Sequence, residues 1–305
     1  MPRCSVVMPT YQNELVIAQS LMALFSQPVP SGWQVRLVVA DDGSTDQTVA
    51  AVHALERESP WPLLVLPGAH AGVAATRNRA LRDVPDEDVV LFLGADQLLR
   101  PGAVAVHLCC HNDYPDQWVG GLGFIQWDPR LESSALMEWM VHGGQQNNFD
   151  ALLGSAWADS HHFFYGSFIS VKRSILGVAP FRESFDQYGW EDLELGRRLA
   201  AAGLRLRCLP EALALHHHPY SPVAIERRQY LIGQGLLAYQ QLYPDVPLLP
   251  ARPWWHRSAV WLWRWLGGEL VVRLLVHWGA ERFSWPQLFH LYTVAPFWRG
   301  VYSRK

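Results

Sequence analysis

Apolar and polar positions fall along this chain in blocks of changing period. Ser5-Val6-Val7-Met8, Val35 to Ala40, Leu63-Leu64-Val65-Leu66 and Val89-Val90-Leu91-Phe92-Leu93 are short continuous apolar runs. Runs of that length predict strands buried on both faces of a sheet. Between them lie stretches of helical pattern. One, rich in Leu, Ile and Ala, opens after Thr10-Tyr11-Gln12-Asn13-Glu14. A second runs from Asp46 to about Glu58, started by Ser44 or Asp46 as cap. A third runs from Gly72 to about Asp83 and carries Arg77, Asn78 and Arg79 in its early turns. Strands alternating with such helices predict an α/β layer structure with a mainly parallel central sheet and right-handed crossovers.

After Pro101-Gly102 the pattern is less regular. Trp118 to Trp127 predicts a strand, and residues 131–160 form a polar-aromatic stretch that reads as shaping loops. A strand near Phe168 to Val171, a helix from Glu191 to Ala202 stopped by Gly203, and a strand near Leu204 to Leu209 complete the core. Pro244, Pro247, Pro250 and Pro253 cannot continue a helix, so the expected boundary divides residues 1–245 from a carboxyl-terminal extension, 246–305. That extension predicts two helices, Ser258 to Leu266 and Glu269 to Arg282, interrupted by Gly267-Gly268. It also holds eight of the chain's 15 tryptophans.

Composition changes the picture in three ways. With 305 residues, 50% of them hydrophobic, the chain can bury a full core, which excludes disorder. A net charge of -3 offers no global basic surface for nucleic acid, so no nucleic-acid partner is expected. The charge is unevenly spread, however. Residues 251–305 carry eight Arg and Lys against only Glu269 and Glu281. Cys4, Cys109, Cys110 and Cys208 show no metal-site spacing and no disulfide density, so buried thiols in a reducing cytosol are expected. No basic and apolar leader precedes Ser5, which argues against a secretory signal.

Candidate chemistry concentrates at strand ends. Val38-Val39-Ala40-Asp41-Asp42-Gly43-Ser44-Thr45-Asp46 drives an apolar strand into paired carboxylates and a glycine turn, where open α/β sheets bind ligands. Asp42 can accept from an N–H of a polar ligand, and Tyr11 can stack on a flat one. The plainer alternative for Asp41, Asp42 and Asp46 is a turn with a helix cap. For Tyr11 it is core packing, and for Arg77 a solvated surface position. Gly189-Trp190-Glu191-Asp192-Leu193-Glu194-Leu195 opens a helix with an acidic pair, which could serve as a base or simply favour the helix dipole. Trp190 suits either a sugar face or a core.

Taken in order, Ser5 to Glu14, Val39 to Thr48, Gly72 to Leu81, Leu91 to Gly102, Tyr165 to Arg173 and Gly189 to His216 resemble the family 2 glycosyltransferases of GT-A fold. The resemblance implies an inverting enzyme that moves a sugar from a nucleotide diphosphate to an acceptor hydroxyl, with a UDP-sugar expected first and GDP left open. It assigns donor binding to Pro9, Thr10, Tyr11, Asp41, Asp42, Arg77 and Asp96. It makes Asp192 the base, with Glu191 as the competing assignment. The family's Asp-x-Asp reads here as Gly94-Ala95-Asp96, so only Asp96 carries over as a metal ligand, and Gln97 could help only weakly. His216 falls on the family's histidine position, and His218 would share its face in an extended segment. Imidazole favours Mn²⁺ over Mg²⁺. Three histidines in a row could instead be a polar strand end, and the missing carboxylate leaves a metal-independent site open.

The implied acceptor is a glycan, a lipid-linked saccharide or a peptide, and the expected location is cytoplasmic or peripheral at the inner membrane face. The basic, Trp-rich extension reads as a membrane-surface helix, a dimer contact or a cap on the core. Two other functions compete. A catalytically silent nucleotide-sugar sensor would explain Gly94. A nucleotidyltransferase would carry a glycine-rich loop after the first strand, and Pro9-Thr10-Tyr11-Gln12-Asn13 has none.

Overall fold

The computed structural model describes residues 1–142, 149–185, 189–244, 262, 265–279 and 286–303. They form two compact units. The first comprises residues 1–131, 147–186 and 191–218, and the second residues 132–146, 187–190 and 219–305. The expected cut at 245/246 lies outside the described residues. The division at Pro219 instead assigns the helix that follows it to the second unit.

In the first unit β1 (Arg3–Thr10), β2 (Gln34–Asp41), β3 (Leu63–Leu66) and β4 (Val89–Leu93) are the expected parallel strands, alternating with α1 (Ile17–Phe25), α2 (Thr48–Ala54) and α3 (Val73–Arg82). Every residue of β4 and Leu37 to Ala40 of β2 are fully buried, which is why these runs are continuous rather than alternating. Beyond β4 the sheet changes character. β8 (Phe168–Lys172) joins β4 antiparallel, followed by β6 (Val119–Trp127), the long β9 (Arg205–His216) and β5 (Gln97–Leu99). Among the described residues the order is β3-β2-β1-β4-β8-β6-β9-β5, with β7 (Trp157–Asp159) off this path on β9. The parallel expectation therefore holds for half of a mixed sheet.

Several elements were not visible as periodic patterns. α4 (Ala103–Asp113) follows Pro101-Gly102. The stretch read as loops contains α5 (Ala135–His142) and β7, and the single-turn α6 (Ser160–Phe163) begins at its last residue. α7 (Glu191–Ala201) ends as expected near Gly203, whose φ of 107° lies in the left-handed region. Gly120-Gly121-Leu122-Gly123 lies inside β6, where a Cβ at Gly121 would come 2.7 Å from Leu209 Cδ1 and 2.9 Å from Ser170 Oγ. Close packing against β8 and β9 explains these glycines. Cys4, Cys110 and Cys208 are buried as expected, whereas Cys109 is exposed, and none is bridged.

The second unit contains α5, α8 (Pro222–Leu242), α9 (Gly268–Gly279) and α10 (Pro286–Ser303). Ser221 caps α8 by accepting from Ala224 N at 3.2 Å, and Pro222 occupies the first turn, where its missing N–H costs nothing. The expected helix Ser258 to Leu266 lies largely outside the described residues, as do residues 280–282 of its successor. Leu136, Met140, Ile225, Val272, Val276, Phe289 and Tyr292 form one apolar core of this unit. Trp190 resolves as packing: its Nε1 donates to Ile232 O at 2.8 Å, and its ring lies beside Tyr239. α8 and α10 meet backbone to backbone, because a Cβ on Gly233 would strike Phe297 O and one on Gly300 would strike Tyr230 O.

No rotamer relieves such a collision. Gly233→Ala is therefore expected to destabilise this helix pair by about 1–3 kcal/mol, read as a lower midpoint in thermal denaturation. Gly300→Ala should do the same, and the double variant should fall short of additivity because one helix separation relieves both.

Candidate active site

The carboxyl ends of β1, β2 and β4 lie along the same edge of the parallel half-sheet, since Thr10 pairs with Asp41 and Val7 with Phe92. At the end of β2, Asp41 Oδ2 accepts from the backbone of Gly43 and Ser44, both at 3.0 Å, closing a tight turn. Gly43 has φ of 79°, and a Cβ there would come 2.7 Å from His70 N, so glycine is required twice over. Asp41 Oδ1 is buried with no hydrogen-bond partner.

Asp42 turns the other way. Its Oδ1 accepts from Ala71 N at 2.8 Å and Thr76 Oγ1 at 2.9 Å, and its Oδ2 from Gly72 N at 3.0 Å, with His70 Nδ1 at 2.9 Å. The carboxylate thus holds the amino-terminal turn of α3, where the helix dipole favours it. The unfilled carboxylate oxygen at this strand end belongs to Asp41. Tyr11 is partly exposed and stacks on His70, with ring centroids 4.4 Å apart. Thr10 Oγ1 contacts Asn13 Oδ1 at 3.0 Å, and Pro9 pairs with Ala40 in the ladder. Asp46 Oδ1 accepts from Thr48 N at 3.0 Å just ahead of α2, whereas the cap position itself falls to Gln47, whose side chain makes no capping hydrogen bond, and not to Ser44 or Asp46.

Arg77 is buried, not solvated. Its Nη1 donates to Asp192 Oδ1 at 2.6 Å and to Glu191 Oε1 at 3.2 Å, and its Nη2 donates to Gly166 O at 3.1 Å. Asp192 Oδ2 in turn accepts from Gly166 N at 2.8 Å. Burial is the largest influence on the Asp192 carboxyl and raises it. Arg77 draws it down, the Glu191 charge pushes it up, and the balance lies at about 7. Asn78 and Arg79 fix the same helix. Asn78 exchanges hydrogen bonds with the backbone of Phe181 at 2.8 and 3.0 Å, and Arg79 donates to Asp41 O. Arg198 pairs with Glu194 at 2.8 Å, and Arg197 contacts His161 at 3.1 Å.

Asp96 follows β4 and meets His216, its Oδ2 being 3.0 Å from Nε2. Burial raises the Asp96 carboxyl, but the neighbouring His216 and His218 outweigh it and hold it below the ordinary value. The His216 ring lies between Trp127 and His218, nearly parallel to both, with centroids 4.9 and 6.1 Å away. Burial lowers His218, so it is neutral near pH 7, the state a metal ligand needs. Between these two, His217 Nδ1 contacts Asp128 Oδ2 at 2.7 Å, Asp128 is gripped by Arg130, and His217 N donates to Asp96 O at 2.9 Å. Gln97 faces His216 across the β5–β9 ladder, and its Oε1 is buried without a partner.

One carboxylate, two imidazoles and a nearby amide oxygen are a donor set suited to a borderline divalent cation. Asp96 and His216 are already together, and His218 lies one ring further along the stack. Among the described residues, the trio whose ligand atoms all lie within 4.8 Å is a different one, Asp159, His161 and His162.

The two acidic groups are joined through α3. Asp42 holds Thr76, Arg77 follows it and holds Asp192, and Gly166 beside Asp192 is followed by Ser167, whose carbonyl accepts from Gly94 N at 2.9 Å. Residues 5–177 match the model described as Glycosyl transferase family 2. The chain belongs to this family. As a family 2 glycosyltransferase it is 26% identical over 260 residues to the uncharacterised glycosyltransferase YfnE of Bacillus subtilis, a match spanning 71% of this chain and 65% of YfnE. The chain thus spans just under two thirds of that relative's length. It is 24% identical over 305 residues to the O-antigen chain rhamnosyltransferase RfbN of Salmonella typhimurium, covering 97% of this chain and 83% of RfbN. The mannosyltransferase PcManGT of Pyrobaculum calidifontis, solved with GDP-Man and Mn²⁺, shares the fold at a TM-score of 0.65 and 21% identity, covering 100% of this chain and 88% of that one.

Gly166, Asn78, Trp127 and Asp128 carry much of this geometry, yet the sequence assigned none of them a role at the site. Gly166 is the most constrained of them, since a Cβ there would come 2.7 Å from Asp192 Oδ1 and 2.8 Å from Arg77 Cζ. Gly166→Ala is expected to part that pair and cost about 1–3 kcal/mol, measured by denaturant unfolding.

Proposed function

We propose that this family 2 glycosyltransferase moves a sugar from a nucleoside diphosphate, UDP in the first instance, to an acceptor hydroxyl with inversion. The expected product is a cell-envelope polysaccharide or glycolipid. The observation that carries the reading is the continuous set of contacts from Asp42 through Arg77 to Asp192 and on to Gly94. It brings a donor-type strand end, a base candidate and the Asp96–His216 pair to one edge of the sheet. RfbN supports the product class by its name, and PcManGT supports a nucleotide-sugar donor by its ligand.

In this reading the base stacks on Tyr11, in the place His70 now takes, and an N–H of the base donates to the strand-end carboxylates, Asp41 Oδ1 being the oxygen with room to accept. Pro9 and Thr10 wall the slot. Asp96, His216 and His218 would hold a divalent cation, Mn²⁺ before Mg²⁺, whose contribution is to neutralise the diphosphate. Asp192 takes the proton from the acceptor hydroxyl as its oxygen bonds to the anomeric carbon. The bond from that carbon to the diphosphate breaks on the opposite face, and the nucleoside diphosphate departs with the electron pair. Arg77 aligns Asp192 and keeps its charged form available, while Glu191 shares the guanidinium.

Incubating the protein with UDP- and GDP-sugars, Mn²⁺ and envelope lipid extracts should release nucleoside diphosphate, and silence with every donor would refute the reading. Asp192→Asn is expected to lower kcat by about 10²–10⁴-fold with donor affinity nearly unchanged. Undiminished transfer would pass the role to Glu191. Because the base acts as a carboxylate, kcat/KM should rise with pH through about 7 and flatten above it, as Asp192 loses its proton. Asp96→Asn should weaken Mn²⁺ binding in calorimetry by about tenfold or more.

A further inference from the structure

We propose that His70 is a removable occupant of the base slot, its ring holding the place of a nucleobase until the donor displaces it, a role that rests on the nucleotide-donor reading above. The imidazole makes both contacts asked of that base. It stacks on Tyr11, with ring centroids 4.4 Å apart and planes 26° from parallel. Its Nδ1 lies 2.9 Å from Asp42 Oδ2 and 3.3 Å from Asp42 O. Carbonyl and carboxylate oxygens only accept, so Nδ1 carries the hydrogen and donates. A flat ring with an N–H turned to the strand-end acid presents what the edge of a pyrimidine or purine presents.

The backbone around this ring is fixed, whereas the side chain is free to leave. Ala71 N and Gly72 N donate to the Asp42 carboxylate at 2.8 and 3.0 Å, which pins the chain after His70. His70 N itself lies against Gly43, where a Cβ would come within 2.7 Å of it. The His70 side chain is 61% exposed and Tyr11 is 44% exposed, so rotation about the side-chain bonds carries the imidazole into water without moving the loop. A stack open to solvent on both rings and a single hydrogen bond hold it only modestly. Opening leaves no stranded charge either. Asp42 keeps Gly72 N on Oδ2, and Ala71 N and Thr76 Oγ1 on Oδ1.

A base offers something His70 does not: a further polar edge for Asp41 Oδ1, which is buried without a hydrogen-bond partner. The slot therefore exchanges one ring for another. Because the closed fraction cannot bind, the apparent affinity for nucleotide is reduced by the fraction of molecules in which His70 has swung out. A ligand without a base gains nothing from displacing the ring, so His70 also selects for ligands that carry one.

The test is calorimetry of the full chain with UDP and with GDP in the presence of Mn²⁺. His70→Ala should bind the nucleotide that wild type binds about three- to tenfold more tightly, the factor expected when a mostly closed slot is opened. In a Tyr11→Ala background the same change should bring little or none of that gain, since the imidazole has already lost its platform. Unchanged or weaker binding by His70→Ala would overturn the proposal, weaker binding by making the imidazole a partner of the base rather than its substitute. An equal gain with and without Tyr11 would also overturn it, because the effect would not run through the slot. Silence of wild type and of both His70 variants toward UDP and GDP is a separate failure, that of the nucleotide reading itself, and removes this role with it.

Discussion

A buried guanidinium shared by two carboxylates is costly unless its nitrogens are engaged, and Arg77 engages both Nη atoms while its Nε has no hydrogen-bond partner. Its Nη atoms reach Asp192, Glu191 and Gly166 O, and Asp192 is pinned from its other oxygen by Gly166 N. Such clusters contribute little net stability, because desolvation offsets the attraction, but a single missing partner leaves an uncompensated charge. The arrangement therefore fixes geometry. It joins α3, the 166–167 segment and the start of α7, three pieces far apart in sequence, and the relative placement of the acidic groups follows from it.

The rest of α3 serves the same end. Asp42 holds its first turn, Asn78 secures the backbone at Phe181, and Arg79 reaches back to the end of β2. Three consecutive polar residues on a helix point in three directions about 100° apart, so Arg77-Asn78-Arg79 can tie one helix to three neighbours. At Asp96 the device is a strand end. β5, β6 and β9 converge where Asp96, Trp127 and His216 meet, and the Asp128–His217 contact turns the middle histidine away from its two stacked neighbours.

Parts of this were legible in the chain. The apolar runs of β1 to β4 announced themselves because strands buried on both faces have no polar side to interrupt them. The strand-end acids, the Glu191-Asp192 pair and the glycine stop after α7 were readable because turns and caps demand particular residue types at fixed spacing. α4, α5, α8 and α10 were not, since a helix packed on several sides loses its polar stripe, and the periodic signal goes with it. Arg77 read as a crevice residue for phosphate or base with a solvated surface position as its rival, and Asp42 as an acceptor for a base. Which oxygen of which aspartate is left unfilled depends on backbone amides roughly 30 residues away, at Ala71 and Gly72.

The sequence by itself determined the family, the parallel half of the sheet and the inventory of acids and imidazoles, because these rest on local pattern and on motifs in register. Only the tertiary structure decided that Arg77 is buried between Glu191 and Asp192, that Gly166 must lack a side chain, and that His70 lies on Tyr11. Those facts depend on distances between segments that share no local signal, and a pairwise contact closed across a hundred residues leaves no periodicity in the chain that makes it.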